Sequence, residues 1–315
     1  MTMTVLGWVL FNAFIVAMIL LDALVFHRRA HAVTLRESLA WTGIWVSLAL
    51  IFCLGVYHYE GPDLALQFLT AYLIEESLSV DNLFVFLLIF SYFRVPSQYQ
   101  HKVLNLGILG ALIFRLGFIL AGIALIERFH WLIYVFGAIL IFSGVNMVYS
   151  KDTKVEPEKN PMLRLFRRFV PVTESYVNGH FFTRQAGRLK ATPLMVVLVV
   201  IETTDIVFAV DSVPAVIAIS RDPFIVYTSN AFAIMGLRAL YFTLAGLMGL
   251  FHYLHYGLSG ILVFVGLKMV SSDIVDVPII VSLGVVAGLL GVSVIASLMW
   301  PGTPPEVTDL DEKVG

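Results

Sequence analysis

Six carboxylates stand inside stretches of sequence that are otherwise apolar. Glu75, Glu76 and Asp81, followed by Asn82, occupy one stretch; Glu202, Asp205 and Asp211, followed by Ser212, occupy another. An ionised acid at mid-bilayer costs roughly 2.5–3.5 kcal/mol on insertion scales, so six of them facing lipid unpaired would cost on the order of 15–20 kcal/mol. They must turn to a bundle interior and find protons, cations or one another. The evident internal counter-charges are Arg115 and Arg238, which leaves a formal surplus of negative charge. A mobile cation can occupy such a place, and protons compete for the same oxygens. The donor set is carboxylate, amide and hydroxyl, with no His or Cys. Oxygen-rich sites suit Mg²⁺, Ca²⁺ or Mn²⁺, whereas zinc and copper favour nitrogen and sulfur.

Helical spacing places Glu75, Ser79 and Asn82 on one face and Glu202 with Asp205 on another. Asp81 and Asp211 lie about 120° round from Glu75 and Asp205, so gathering every acid at one point requires a local break in each helix. Pro214 removes a backbone hydrogen bond and frees the Val210 carbonyl, which predicts such a break after Asp211. The histidines fall near span ends or in loops, and His252 and His255 read as interface residues rather than as a metal pair.

The elements that must carry these groups are membrane spans. The chain has 315 residues, 59% of them hydrophobic and 13% charged, with a mean hydropathy of +0.90. A soluble domain carries about 25% charged residues. Apolar runs near the ~20 residues that cross a bilayer are read at Val5–Phe26, Leu39–Tyr57, Leu64–Phe90, Val103–Leu125, Trp131–Tyr149, Thr192–Ile219, Tyr227–Phe251, Gly257–Val270 and Ile279–Met299. The fold class is therefore an all-α membrane protein with about nine transmembrane helices. Arg28, Arg29, Arg36, Arg94, Lys102 and the basic loop after Tyr149 collect on one side, while the opposite loops hold Arg128 and Arg221. Positive charge is retained in the cytoplasm, so the N-terminus is expected outside and the C-terminus inside. No cleavable signal peptide is evident. One cysteine, Cys53, can form neither an internal disulfide nor a thiolate metal site. The net charge of −2 gives no reason to expect a nucleic-acid partner.

An internal repeat organises the spans. Tyr134–Ser150 and Tyr256–Ser272 align without a gap at an offset of 122, matching Tyr134 with Tyr256, Gly144 with Gly266 and Met147 with Met269. One span earlier, the run after Arg115 resembles the run after Arg238. Earlier still, Glu75, Asp81 and Asn82 match Asp205, Asp211 and Ser212. Spans 3–5 thus recur as spans 6–8, and three spans per copy invert the second copy in the membrane, a recurring transporter architecture. Glu76, whose counterpart is Ile206, is expected at the margin of any site. The segments are two N-terminal spans (1–63), repeat 1 (64–150), a cytoplasmic basic loop (151–191), repeat 2 (192–272), a final span (273–300) and an acidic tail (301–315). Within the loop, Met162–Val170 reads as a basic amphipathic helix on the inner leaflet or as a solvated linker.

The runs Glu75-Glu-Ser-Leu-Ser-Val-Asp-Asn-Leu-Phe-Val-Phe86 and Glu202-Thr-Thr-Asp-Ile-Val-Phe-Ala-Val-Asp-Ser-Val-Pro214 resemble the two signature motifs of the TerC family of bacterial membrane proteins, and most closely its Alx branch. The resemblance covers most of the chain. It implies membership of the wider LysE-type transporter group, a bacterial inner-membrane location, manganese efflux and a link to tellurite resistance. It also implies that Glu75, Asp81, Asn82, Glu202, Asp205 and Asp211 hold the metal, with Glu76, Ser79, Ser212, Arg115 and Arg238 around them. The expected function is secondary export of a divalent ion, Mn²⁺ foremost, with protons as the natural competitor and no permanently bound cofactor. The competing expectation is a membrane scaffold for metallation or metal-stress resistance without transport. An enzyme is not expected. P-loop and Gly-x-Ser-x-Gly motifs are absent, and so is the Gly-x-Gly-Asp motif of an intramembrane aspartyl protease.

Overall fold

A computed structural model of the chain describes residues 5–26, 34–149, 160–185, 188–246 and 253–300. The acidic tail, the polar opening of the basic loop and the end of the seventh predicted span lie outside the described residues. The elements run α1 (Val5–Phe26), α2 (Leu35–Tyr59), α3 (Pro62–Tyr92), α4 (Ser97–Arg128), α5 (Leu132–Tyr149), α6 (Pro161–Phe169), β1 (Phe182–Gln185), β2 (Arg188–Ala191), α7 (Pro193–Ile217), α8 (Pro223–Gly246), α9 (Leu254–Val270) and α10 (Ile279–Met299). Over its described residues each apolar run of the sequence lies on a helix. The short antiparallel β1–β2 hairpin is an addition to the all-α expectation, set in the connector before α7.

Turn chemistry sets the helix starts. Gly61, at φ +97, reverses the chain after α2, and Pro62 opens α3 at a position where its missing N–H costs nothing. Asp222 Oδ1 accepts from the amides of Phe224 and Ile225 at 2.9 and 3.1 Å, capping α8 behind Pro223. Asn160 caps α6 in the same way, from Met162 N at 2.9 Å and Leu163 N at 3.2 Å. Past α6, the Tyr176 hydroxyl donates to the Phe93 carbonyl at 2.8 Å, tying the connector to the end of α3.

Both acid-bearing helices are continuous. α3 runs unbroken through Glu75 and Asp81, and α7 runs unbroken through Asp211 and Pro214. The predicted breaks do not occur. The loss of one hydrogen bond at Pro214 is absorbed in the last turn, where Ala218 N still donates to the Pro214 carbonyl at 3.0 Å.

Among the described residues five helices, α2, α4, α5, α7 and α10, are long and apolar enough to cross a membrane, while Val5–Met18 and Leu254–Val270 are apolar but shorter. Their outward faces agree: Ile113, Phe142 and Val292 are 64%, 71% and 68% exposed. Inside, α3 packs along α8, α4 along α7, and α5 along α9, with α2 against α8 and α10 against α9 and α3. Phe11, Phe52, Phe68, Phe224 and Phe232 fill the junction of α1, α2, α3 and α8. The α5–α9 contact is a glycine seam. A Cβ on Gly266 would stand 2.7 Å from the Gly137 carbonyl oxygen, and one on Gly144 would stand 2.8 Å from that of Ser259. The close approach lets Ser259 Oγ donate to the Gly144 carbonyl at 2.6 Å.

Candidate functional site

Helices α3, α4 and α7 converge on Arg115, which lies in the middle of α4 and is 1% exposed. Its guanidinium forks onto Asp205 of α7, with Nη2 donating to Oδ1 at 2.9 Å and Nε to Oδ2 at 3.3 Å. Nη1 meets Glu75 Oε1 of α3 and donates to Ser212 Oγ of α7 at 3.4 Å. The planar fork suits a carboxylate, which it meets with two parallel N–H donors. One cation thus faces two carboxylates at a point where Glu75 and Asp205 are both buried. Removing either side would leave charge without compensation in a medium that cannot solvate it.

On the two acid-bearing helices several buried polar atoms have no hydrogen-bond partner: Glu75 Oε2, Glu76 Oε2, Ser79 Oγ and Asn82 Nδ2 of α3 and Glu202 Oε2 of α7. Ser79 and Asn82 follow Glu75 along the same face of α3, as their spacing requires. An unsatisfied buried polar group costs about 1–3 kcal/mol. The oxygens among these atoms gain from water, a proton or a cation, whereas Asn82 Nδ2, a donor, gains only from an acceptor such as water.

The remaining predicted residues are distributed by the straightness of the helices. Glu202, one turn before Asp205, lies against α4 where residue 110 is glycine, and its carboxylate fills the space a Cβ there would need. With Asp205 it lines a narrow cleft otherwise walled by apolar side chains such as Phe86, Ile108 and Leu237. Asp211 points to α5 and accepts from Ser143 Oγ at 2.8 Å. Asp81 is half-buried. Glu76 faces Gly236 of α8 and has the Tyr72 hydroxyl as its neighbour one turn back. Arg238 donates to Asn105 Oδ1 of α4 at 2.9 Å. Among the described residues no three His, Cys, Asp or Glu side chains gather into a metal-holding cluster. The structure thus brings Glu75, Asp205, Ser212 and Arg115 together, and it turns Glu76 to α8, Glu202 to α4, Asp211 to α5 and Arg238 to Asn105.

Gly110, Ser143 and Asn105 were not predicted. Gly110 and Ser143 carry no signal in an apolar run rich in small residues, because what marks them is the acid that an adjoining helix presents.

Comparison with known proteins identifies the family. Residues 60–303 match the family described as "Integral membrane protein TerC family". The chain is 53% identical over 292 residues to "Uncharacterized membrane protein STKORF319" of Myxococcus xanthus, covering 93% of this chain and 92% of that one. It is 47% identical over 296 residues to "Putative membrane-bound redox modulator Alx" of Escherichia coli (strain K12), covering 91% and 92%. It is 37% identical over 294 residues to "Uncharacterized membrane protein" of Rickettsia bellii, covering 93% and 97%. No solved structure matches.

Proposed function

Because the chain belongs to the TerC family of multi-pass integral membrane proteins, we propose that it is a secondary transporter that exports a divalent cation, Mn²⁺ foremost, through the centre between α3 and α7. One observation carries the reading: two buried carboxylates from two different helices share a single arginine, with Glu75 Oε2 and, one turn along α3, Ser79 Oγ unpartnered. Two carboxylates and one guanidinium sum to a formal charge of about −1. A divalent ion in place of the guanidinium would balance the pair, so Arg115 acts as a resident cation that the cargo displaces. Ser79, Asn82 and Ser212 add neutral oxygens to the set, a composition suited to Mn²⁺ or Mg²⁺ rather than Zn²⁺.

In this reading Glu75, Asp81, Asn82, Glu202, Asp205 and Asp211 serve the ion at successive stages, not all at once. The helix contacts support it: α3 packs on α8 as α4 packs on α7, and α5 packs on α9, the reciprocal set that a two-fold relation between α3–α5 and α7–α9 would generate. With the N-terminus outside, cytoplasmic ions load the centre, and outside protons compete for the carboxylates and release them.

The test is Mn²⁺ flux in proteoliposomes. Glu75→Gln and Asp205→Asn should each lower it at least about tenfold, the factor that 1.4 kcal/mol of lost coordination corresponds to. Flux indistinguishable from empty vesicles in the unaltered chain would instead favour the scaffold reading, in which the folded basic connector of α6, β1 and β2 docks a partner. The redox role in the relatives' name does not arise here from a dithiol within the chain, since the sequence holds one cysteine. Control of a redox-active metal such as manganese is compatible with that name.

A further inference from the structure

Helix α6 presents three different sides. At 100° per residue, Leu163 and Phe166 lie on one side and join the apolar cluster that contains Leu194 and Val197 of α7; Leu163 is 1% exposed. Met162, Leu165 and Phe169 form a second side about 100° away and are exposed, Phe169 to 74%. Arg164, Arg167 and Arg168 take the remaining side and are also exposed.

The height of this helix is fixed by the fold. Thr173 N donates to the Ala191 carbonyl and Ala191 N to the Pro171 carbonyl, both at 2.9 Å, which staples the end of α6 to β2. β2 leads directly through Thr192 into α7, a membrane-crossing helix. An aromatic and aliphatic side beside an arginine side, held at the end of a span, therefore stands at the level where acyl chains meet headgroups.

We propose that α6 is an interfacial anchor. It inserts Met162, Leu165 and Phe169 into the acyl–headgroup boundary at that end of α7 and sets Arg164, Arg167 and Arg168 among anionic phospholipid headgroups. Interfacial helices bind by this combination of buried apolar area and electrostatic attraction to acidic lipid. The arginine stems can lie along the boundary while their heads reach the phosphates. The inference rests on the membrane embedding of the chain and not on the transport reading, so the two fail separately.

The experiment uses the full chain with Cys53→Ser, which removes its one cysteine. A single cysteine is then placed at Phe169→Cys or at Arg164→Cys and spin-labelled. The monodisperse protein is reconstituted into phosphatidylcholine vesicles with and without phosphatidylglycerol. Saturation by molecular oxygen against a water-soluble nickel chelate reads the depth of each label. The label at 169 should favour oxygen severalfold more than the label at 164, and phosphatidylglycerol should widen the gap. Arg167→Gln with Arg168→Gln should abolish that widening. Both sites are exposed, so neither label disturbs the packing of Leu163. Equal nickel access at the two sites would overturn the proposal. Protection of the 169 label from both reagents would also overturn it, since a protein partner or a second copy would then cover this side. Indifference to phosphatidylglycerol would overturn the assignment of the arginines.

Discussion

Two helix contacts in the same bundle are built on opposite principles. The α5–α9 seam has backbones in contact through Gly137, Gly144 and Gly266 and is closed by the hydroxyl of Ser259. The α3–α4–α7 centre is held by charge: Arg115 against Glu75 and Asp205, with unsatisfied polar atoms left over. In lipid, where apolar side chains gain nothing by leaving solvent, close van der Waals contact is what joins helices. The seam uses that force and has one arrangement. The centre is held by charge, and in the proposed transport another cation would take the place of the arginine. The difference teaches which part of the bundle is suited to stay fixed and which to move.

The sharpest way to break this comparison is Arg115→Met. It strands two buried carboxylates and should destabilise the detergent-purified protein by about 3–5 kcal/mol, read as a fall in unfolding midpoint. Adding Glu75→Gln and Asp205→Asn to that variant should recover most of the loss. An unchanged midpoint in Arg115→Met would mean that the ion pairs contribute nothing to the fold.

Next in size is Gly266→Ala. Its Cβ meets the Gly137 carbonyl, which is backbone and cannot yield, so an overpacking cost of about 1–3 kcal/mol is expected in the same assay. Gly284→Ala on α10, which meets nothing within 4 Å, should stay within about 0.5 kcal/mol. Equal effects of the two would remove the seam from the argument.

Gly110→Ala separates stability from function. Its methyl group meets the far end of the flexible Glu202 side chain rather than backbone. Glu202 should swing away at little cost in stability, while Mn²⁺ flux in proteoliposomes falls. Normal flux in this variant would exclude Glu202 from the ion path.

The smallest expected change is Ser259→Ala, which loses one hydrogen bond across the seam. Interhelical hydrogen bonds of this kind contribute about 0.6 kcal/mol, so the midpoint should move only slightly and flux should be unaffected. A large loss of flux would show that the seam also moves during transport.

The acids, the burial of Glu75 and Asp205 and the spacing of the acids along each helix were legible in the sequence, whereas Glu76, Asp81, Glu202 and Asp211 are only partly buried. Glu75, Ser79 and Asn82 fall on one side of α3 as the 3.6-residue period requires. The expectation that failed, a break in α3 and α7, came from assuming that all six acids meet at one point. Continuous helices send Asp211 to Ser143 of α5 instead. The β1–β2 hairpin gave no warning, because strands of four residues are too short to establish an alternating pattern.

By itself the sequence determined that this chain is a bundle of membrane helices with acids inside it, because the cost of apolar surface in water and of charge in lipid depends on residue type and helical period alone. Only the tertiary structure decided that Arg115 serves both Glu75 and Asp205 while Arg238 meets Asn105, and that Glu202 rests on Gly110. Those pairings depend on which helix lies beside which and at what height. No periodicity within one segment encodes the distance to another.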